Sequence, residues 1–185
     1  MKRNDPSASK FKIIAFNPNS IGKNPKRSKV LQALKKKSPN IILLSDTRIS
    51  KDIEPLVKAE WGGRANFSSF SSQARGVAIL FTKNLAVEII ENTIYNDPSG
   101  NFTVLNFKYE NFVITLSCIY GPNQDNPAFY QNIVFPKTEL CSEKSDFTIM
   151  GGRLEHCAGP KCRYLWLHIR KQFKLQKYPE TEHGK

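Results

Sequence analysis

Ile41-Ile42-Leu43-Leu44-Ser45-Asp46-Thr47-Arg48 is the stretch on which the fold turns. Four consecutive aliphatic residues leave no polar face, so the segment is predicted to be a central strand buried on both sides. It then turns polar at once, which puts Ser, Asp, Thr and Arg at one rim of a sheet. Upstream, Phe11-Lys12-Ile13-Ile14-Ala15-Phe16 is a second β-type run, stopped by Asn17-Pro18-Asn19-Ser20. Between the two, Pro25 to Lys37 carries Val30, Leu31 and Leu34 at helical spacing amid Lys and Arg. The opening is therefore strand–helix–strand with a basic outer helix face.

Downstream, a short helix is predicted around Ile53 to Ala59. Strands follow at 77–81, 87–90, 102–107 and 112–119. The interval Asn92 to Asn101 is turn chemistry, and Tyr109-Glu110-Asn111 fits a hairpin connection. A helix is predicted over Asn126 to Lys137, then a strand Phe147-Thr148-Ile149-Met150 running into Gly151-Gly152. A strand–helix–strand unit followed by hairpins implies an α/β fold of mixed sheets with helices on the outer faces.

The 185 residues include 28 Lys and Arg against 16 Asp and Glu, a net charge of +12. The charge is uneven. Residues 1–60 hold 14 basic and 5 acidic side chains, residues 153–185 hold 8 and 3, and the middle holds 6 and 8. A basic N-terminal third points to a polyanion, most naturally nucleic acid, although solvated lysines on a helix would look the same. No run of about 18 apolar residues exists, which excludes a membrane-spanning helix. The polar start Met1-Lys2-Arg3-Asn4-Asp5-Pro6 lacks the apolar core of a signal peptide, so an intracellular chain with free cysteines is expected.

Three strands finish in polar clusters: Asn17-Pro18-Asn19, Ser45-Asp46-Thr47-Arg48 and Tyr120-Gly121-Pro122-Asn123. Gathered at one rim they would form a site of the kind common in α/β folds. Carboxylate and amide oxygens suit a hard cation such as Mg²⁺. A tyrosine hydroxyl and an asparagine amide suit a phosphate. Taken singly, Asn17-Pro18-Asn19 also reads as a turn, Asp46 as a local cap and Tyr120 as core.

The order and spacing of these clusters, with Arg75-Gly76-Val77-Ala78-Ile79-Leu80 and Thr148-Ile149-Met150-Gly151-Gly152, resemble the endonuclease/exonuclease/phosphatase superfamily. The likeness is greatest to the apurinic-type endonuclease domains of non-LTR (LINE-type) retrotransposons. It implies the N-terminal portion of a two-sheet α/β sandwich over residues 11–152, with the C-terminal part missing. Residues 1–10 form a flexible basic lead-in and 153–185 a tail foreign to the family. The implied activity is Mg²⁺-dependent phosphodiester hydrolysis, nicking DNA in the nucleus before reverse transcription.

By position, the resemblance makes Asn17 the active-site asparagine, Tyr120 the active-site tyrosine and Asn123 the support of its loop. Asp46 takes the place of the metal-binding glutamate, one methylene shorter, with Asn19 as a second metal contact. Lys23, Lys26, Arg27, Lys35, Lys36, Lys37 and Arg48 are the candidate DNA contacts. No membrane partner is implied, and no small-molecule cofactor beyond a divalent metal.

The pattern breaks after Gly152. The family expects Asp, an aromatic and Asn, whereas this chain has Arg153-Leu154-Glu155, and no Asp-His pair follows. Arginine accepts no proton, and its charge opposes Mg²⁺ by about 4 kcal/mol per unit pair at about 4 Å. Hydrolysis is therefore expected to be impaired. Codons permitted for Arg153 to Pro160 read, one base on, Asp-Trp-Asn-Thr-Val-Gln-Asp-Pro, which restores the motif; a frameshift or wrong exon join would explain the tail. Cys157, Cys162, His156 and His168 match no common zinc spacing. Tyr164 to Lys177 could pass for an amphipathic helix, a pattern that is accidental if the frame is shifted. Three readings stand: an endonuclease, a basic nucleic-acid-binding remnant, and a product without selected function whose first sheet lacks a partner.

Overall fold

The predicted central strand sits in the middle of the first of two sheets. The structure, a computed structural model, describes residues 11–122, 124, 126–153 and the backbone of 165–169. β1 (Ile13–Phe16) lies parallel to β2 (Ile41–Ser45), with Phe16 opposite Leu44, and α1 (Asn24–Lys35) makes the crossover. After a short 3₁₀ turn come α2 (Glu54–Trp61), β3 (Ala65–Ser68) and β4 (Val77–Phe81). The sheet order is β1-β2-β4-β3, with β4 antiparallel to both neighbours.

Alternation along β2 and β4 explains why neither has a polar face. Ile42, Leu44, Ala78 and Leu80 pack with Leu31, Leu34, Val57 and Trp61 beneath the helices. Ile41, Leu43, Val77, Ile79 and Phe81 point the other way, into the layer shared with the second sheet. The two-residue period thus serves two cores from one strand.

The second sheet runs β5 (Glu88–Asn96), β6 (Phe102–Tyr109), β7 (Phe112–Tyr120), β8 (Phe147–Arg153) and β9 (Leu165–Ile169) in that spatial order. All its pairs are antiparallel except β7 with β8. Their crossover is a helical rod: α3 (Pro127–Phe129), a π-helical turn (Tyr130–Val134) and α4 (Phe135–Ser142). Tyr130 and Val134 cover Phe102, Val104 and Ile119 on the outer face. Leu105, Phe107, Ile114, Leu116 and Cys118 face the first sheet, where Phe81 and Phe107 meet edge to face at 5.5 Å. Such a ring pair adds about 0.5–1.5 kcal/mol to the burial itself.

Several expectations need correcting. The inner face of the first sheet does not lack a partner: the second sheet covers it. β3 was not foreseen, since Ala65-Asn66-Phe67-Ser68 is short and only partly apolar. β5 continues to Asn96 where turn chemistry was expected. A register shift between Ile90 and Tyr95 absorbs the polar residues, with Thr93 Oγ1 donating to Ile90 O at 2.6 Å and accepting from Asn106 N–H at 2.9 Å. Within Tyr164 to Lys177, residues Leu165–Ile169 are strand, not helix, with His168 opposite Thr148. His156, Cys157 and Cys162 lie outside the described residues. Among the described residues no helix is long and apolar enough to cross a membrane.

Candidate active site at the sheet rim

β1 and β2 are parallel, as are β7 and β8, and Cys118 Sγ donates to Leu44 O at 3.2 Å. That contact brings the ends of β2 and β7 together, so their terminal loops share a rim. Backbone hydrogen bonds stitch the loops into one band. Ser20 and Ile21 N–H donate to the carbonyls of Asp46 and Thr47 at 2.9 and 2.8 Å. Thr47 and Arg48 N–H donate to Gly76 and Arg75 at 2.9 and 2.8 Å, and Gly76 N–H to Gly100 at 3.0 Å. Tyr120 N–H reaches Asn101 at 2.6 Å, and Gly121 N–H reaches Arg153 at 2.8 Å.

The band holds unusual backbone. Of the seven non-glycine residues with positive φ among the described residues, Asn19, Ser20, Asp46, Arg48 and Arg75 lie on it. Left-handed conformations cost about 1–3 kcal/mol each and concentrate where a loop must aim a side chain. Gly76, at φ +92°, has no alternative: a Cβ there would stand 2.5 Å from Thr47 Oγ1.

Asp46 and Arg48 are aimed at each other. Arg48 Nε and Nη2 donate to Asp46 Oδ1 and Oδ2, both at 2.9 Å, in a two-pronged pair. The Asp46 side chain is 3% exposed and that of Arg48 35%. The Asp46 bond and charge raise the Arg48 guanidinium above its ordinary value; burial opposes this, Tyr120 adds to it and Arg153 counters it. The same guanidinium thus feels all three neighbours. Arg153 Nη1 donates to the Tyr120 hydroxyl at 3.2 Å, with its guanidinium 5.4 Å from the ring centre.

Asn17 follows β1 at this rim and is exposed. Its Oδ1 accepts from the Asn19 N–H at 2.9 Å, the local turn that was the plain reading. Asn19 offers its carbonyl to Lys26 Nζ. Asn123 lies outside the described residues.

These donors do not fit Mg²⁺. Both oxygens of Asp46, the candidate ligand, already accept from a guanidinium, Asp97 Oδ2 accepts from the Asn101 N–H, and a second guanidinium stands at Tyr120. A hard cation wants several free oxygens and negative charge; this rim offers net positive charge. Among the described residues no three His, Cys, Asp or Glu gather as a metal cluster.

The basic residues divide. Lys23 and Lys26 are exposed at the N-terminal end of α1, beside Asn19. Lys35, Lys36 and Lys37 lie at the other end of the helix, about 18 Å away at 1.5 Å per residue. There Lys35 Nζ donates to Glu60 O at 2.7 Å, and Lys12, just before β1, donates to Lys37 O at 2.6 Å.

Arg27 is a correction: it is 4% exposed and presents no charge to DNA. Its Nε and Nη2 reach Glu60 Oε1 at 2.8 and 2.7 Å, and Nη1 donates to Gly22 O at 2.9 Å. These bonds hold the Glu60 carboxyl below its ordinary value. The reason was in the spacing, since Arg27, Leu31 and Leu34 stand at i, i+4 and i+7 on the buried stripe. Arg75 was missed as a rim cation; only its neighbour Gly76 marked the turn.

By sequence, no family model and no curated protein matches the chain. By fold it is similar to the AP endonuclease LMAP from Leishmania major, with a TM-score of 0.57 and 15% identity over 78% of this chain and 55% of that one. The endonuclease domain of TRAS1, a telomere-specific non-LTR retrotransposon, gives 0.53 and 15% over 77% and 59%. The human Nocturnin catalytic domain, with a bound sulfate anion, gives 0.56 and 12% over 81% and 65%. A two-sheet α/β sandwich with its loops gathered at one rim defines the class. The chain has the endonuclease/exonuclease/phosphatase fold and spans 55–65% of the length of these three structures.

Proposed function

We propose that the chain is a retrotransposon-derived DNA endonuclease domain that keeps phosphate recognition and has lost hydrolysis. The observation that carries this reading is the two-pronged bond of Arg48 to both oxygens of Asp46, beside a second guanidinium at Tyr120. Hydrolysis needs a group that takes a proton from the attacking water. Arginine cannot do so, and the Asp46 oxygens are engaged.

What remains suits a phosphodiester as ligand. The Arg48 charge is offset by Asp46, so Arg153 and Arg75 supply the positive charge, and planar guanidinium groups match phosphate oxygens. Because Arg153 donates to the Tyr120 oxygen, the phenolic proton can point to a phosphate oxygen. Lys23 and Lys26 extend the charge along the rim, while Lys35 to Lys37 lie too far round to share it. The fold likeness to a retrotransposon endonuclease and an AP endonuclease supports DNA as the polyanion; an encounter in the nucleus belongs to the proposal alone.

Two measurements test the reading. Supercoiled plasmid incubated with Mg²⁺ stays unnicked, at the level of Asp46→Ala. Duplex binding falls with salt at a logarithmic slope of about −3 to −4, for contacts by Lys23, Lys26, Arg75 and Arg153. Nicking that Asp46→Ala abolishes, or binding indifferent to salt, overturns it.

A further inference from the structure

Phe70 is a large aromatic side chain left 51% exposed in the loop between β3 and β4, and the Arg75 guanidinium lies 5.0 Å over its ring. The loop belongs to the rim. Ser68 Oγ donates to Asp97 O at 2.6 Å, Arg75 Nη1 to Ser99 O at 3.4 Å, and the Arg75 carbonyl holds the Arg48 N–H at 2.8 Å. Within the loop, Ser71 Oγ accepts from Ala74 N–H at 3.1 Å. Phe70 also seats against the turn, since a Cβ on Gly100 would come within 2.7 Å of its own Cβ. The ring is thus partly exposed and seated against the Gly100 turn, and Arg75, which lies over it, is one backbone hydrogen bond from Arg48.

We infer that Phe70 and Arg75 form a stacking platform for an unpaired nucleobase, so that the rim takes single-stranded DNA in preference to an intact duplex. This rests on the DNA reading above and names the substrate class of the same site. Arg75 lies over one face of the ring, so the base stacks on the opposite face, and the guanidinium adds a charge for the adjoining phosphate. A base within a duplex is stacked on its neighbours and cannot offer its face. A protein partner is the less apt occupant, because the charged side chain in contact with the ring is the Arg75 guanidinium, which suits a phosphate beside a stacked base.

The test uses the full chain and fluorescence anisotropy with labelled single-stranded and duplex oligonucleotides of equal length, in EDTA. Phe70→Ala should weaken single-strand binding by about fivefold to a hundredfold, the loss of one stacked base, and leave duplex binding unchanged. Phe70→Trp should retain the affinity, while Phe70→Leu, apolar but without a π-face, should behave as alanine. Full affinity in Phe70→Leu, or equal losses on both DNAs, overturns the platform. Absence of binding to either DNA by the unaltered chain instead sinks the DNA reading itself.

Discussion

Replacing Arg48 by alanine should destabilise the chain far more than replacing its partner Asp46 by asparagine. The asymmetry follows from exposure: 3% for the Asp46 side chain and 35% for Arg48. Without Arg48, a carboxylate loses two charge-assisted bonds where water hardly reaches. Breaking a buried pair from that side costs about 3–5 kcal/mol, and the partly open arginine side puts this case at the lower end. Without the carboxylate, the guanidinium hydrates in place, for a loss of about 1 kcal/mol. In a chain of 185 residues, about 3 kcal/mol lowers Tm by roughly 6–12 °C.

Magnesium provides the second readout. In Arg48→Ala the freed Asp46 carboxylate can take a cation. With a Kd of about 1 mM, roughly 10 mM MgCl₂ would restore about 1.4 kcal/mol. The unaltered chain, its carboxylate already occupied, should not respond. Urea unfolding followed by the fluorescence of the two tryptophans, Trp61 and Trp166, with and without MgCl₂, gives all four numbers. Equal costs for the two substitutions, or a Mg²⁺ response in the unaltered chain as large as in Arg48→Ala, would refute the argument.

The pair between Arg27 and Glu60 should show in acid. The Glu60 carboxyl is depressed by Arg27, so its contribution is whole above the ordinary carboxyl value near 4.5 and is lost as pH falls through the lower folded value. Glu60→Gln should therefore be less stable than the parent by about 2 kcal/mol at neutral pH, with the gap closing in acid; urea midpoints taken from pH 3 to 7 check this, and a gap that widens on acidification contradicts it. Gly76→Ala should cost about 1–3 kcal/mol, from φ +92° and a Cβ 2.5 Å from Thr47 Oγ1. Thermal unfolding measures it, and an unchanged Tm would mean that the band does not need its glycine.

Much of the architecture was legible because apolar periodicity is a local property. Ile41 to Leu44 had to be a strand covered on both faces, and the polar switch at Ser45 had to mark its end. The order and spacing of Asn17, Asp46, Arg75-Gly76 and Tyr120 resemble those of the endonuclease/exonuclease/phosphatase superfamily, and it was this resemblance that implied the two-sheet sandwich. The helical rod of residues 127–142 was anticipated from Asn126 to Lys137 but not in its last turn, nor in its π-helical turn, which packs Tyr130 onto the second sheet.

The chemistry of the rim was less legible. Asp46 read as a metal ligand and Arg48 as a DNA contact, each reasonable for its residue type. Two residues apart in an extended strand they would point to the same face with no reason to bond. Here both backbones are left-handed, at φ +59° and +48°, and that turn closes the pair. Arg27 likewise read as surface charge until its place on the buried stripe met Glu60 from a second helix. Residue type and period therefore determined strands, helices and the loops that meet at the rim. Which charges cancel there was settled only when backbone handedness and packing put specific atoms within 3 Å of each other, because electrostatic partners are chosen by distance in space and not by spacing along the chain.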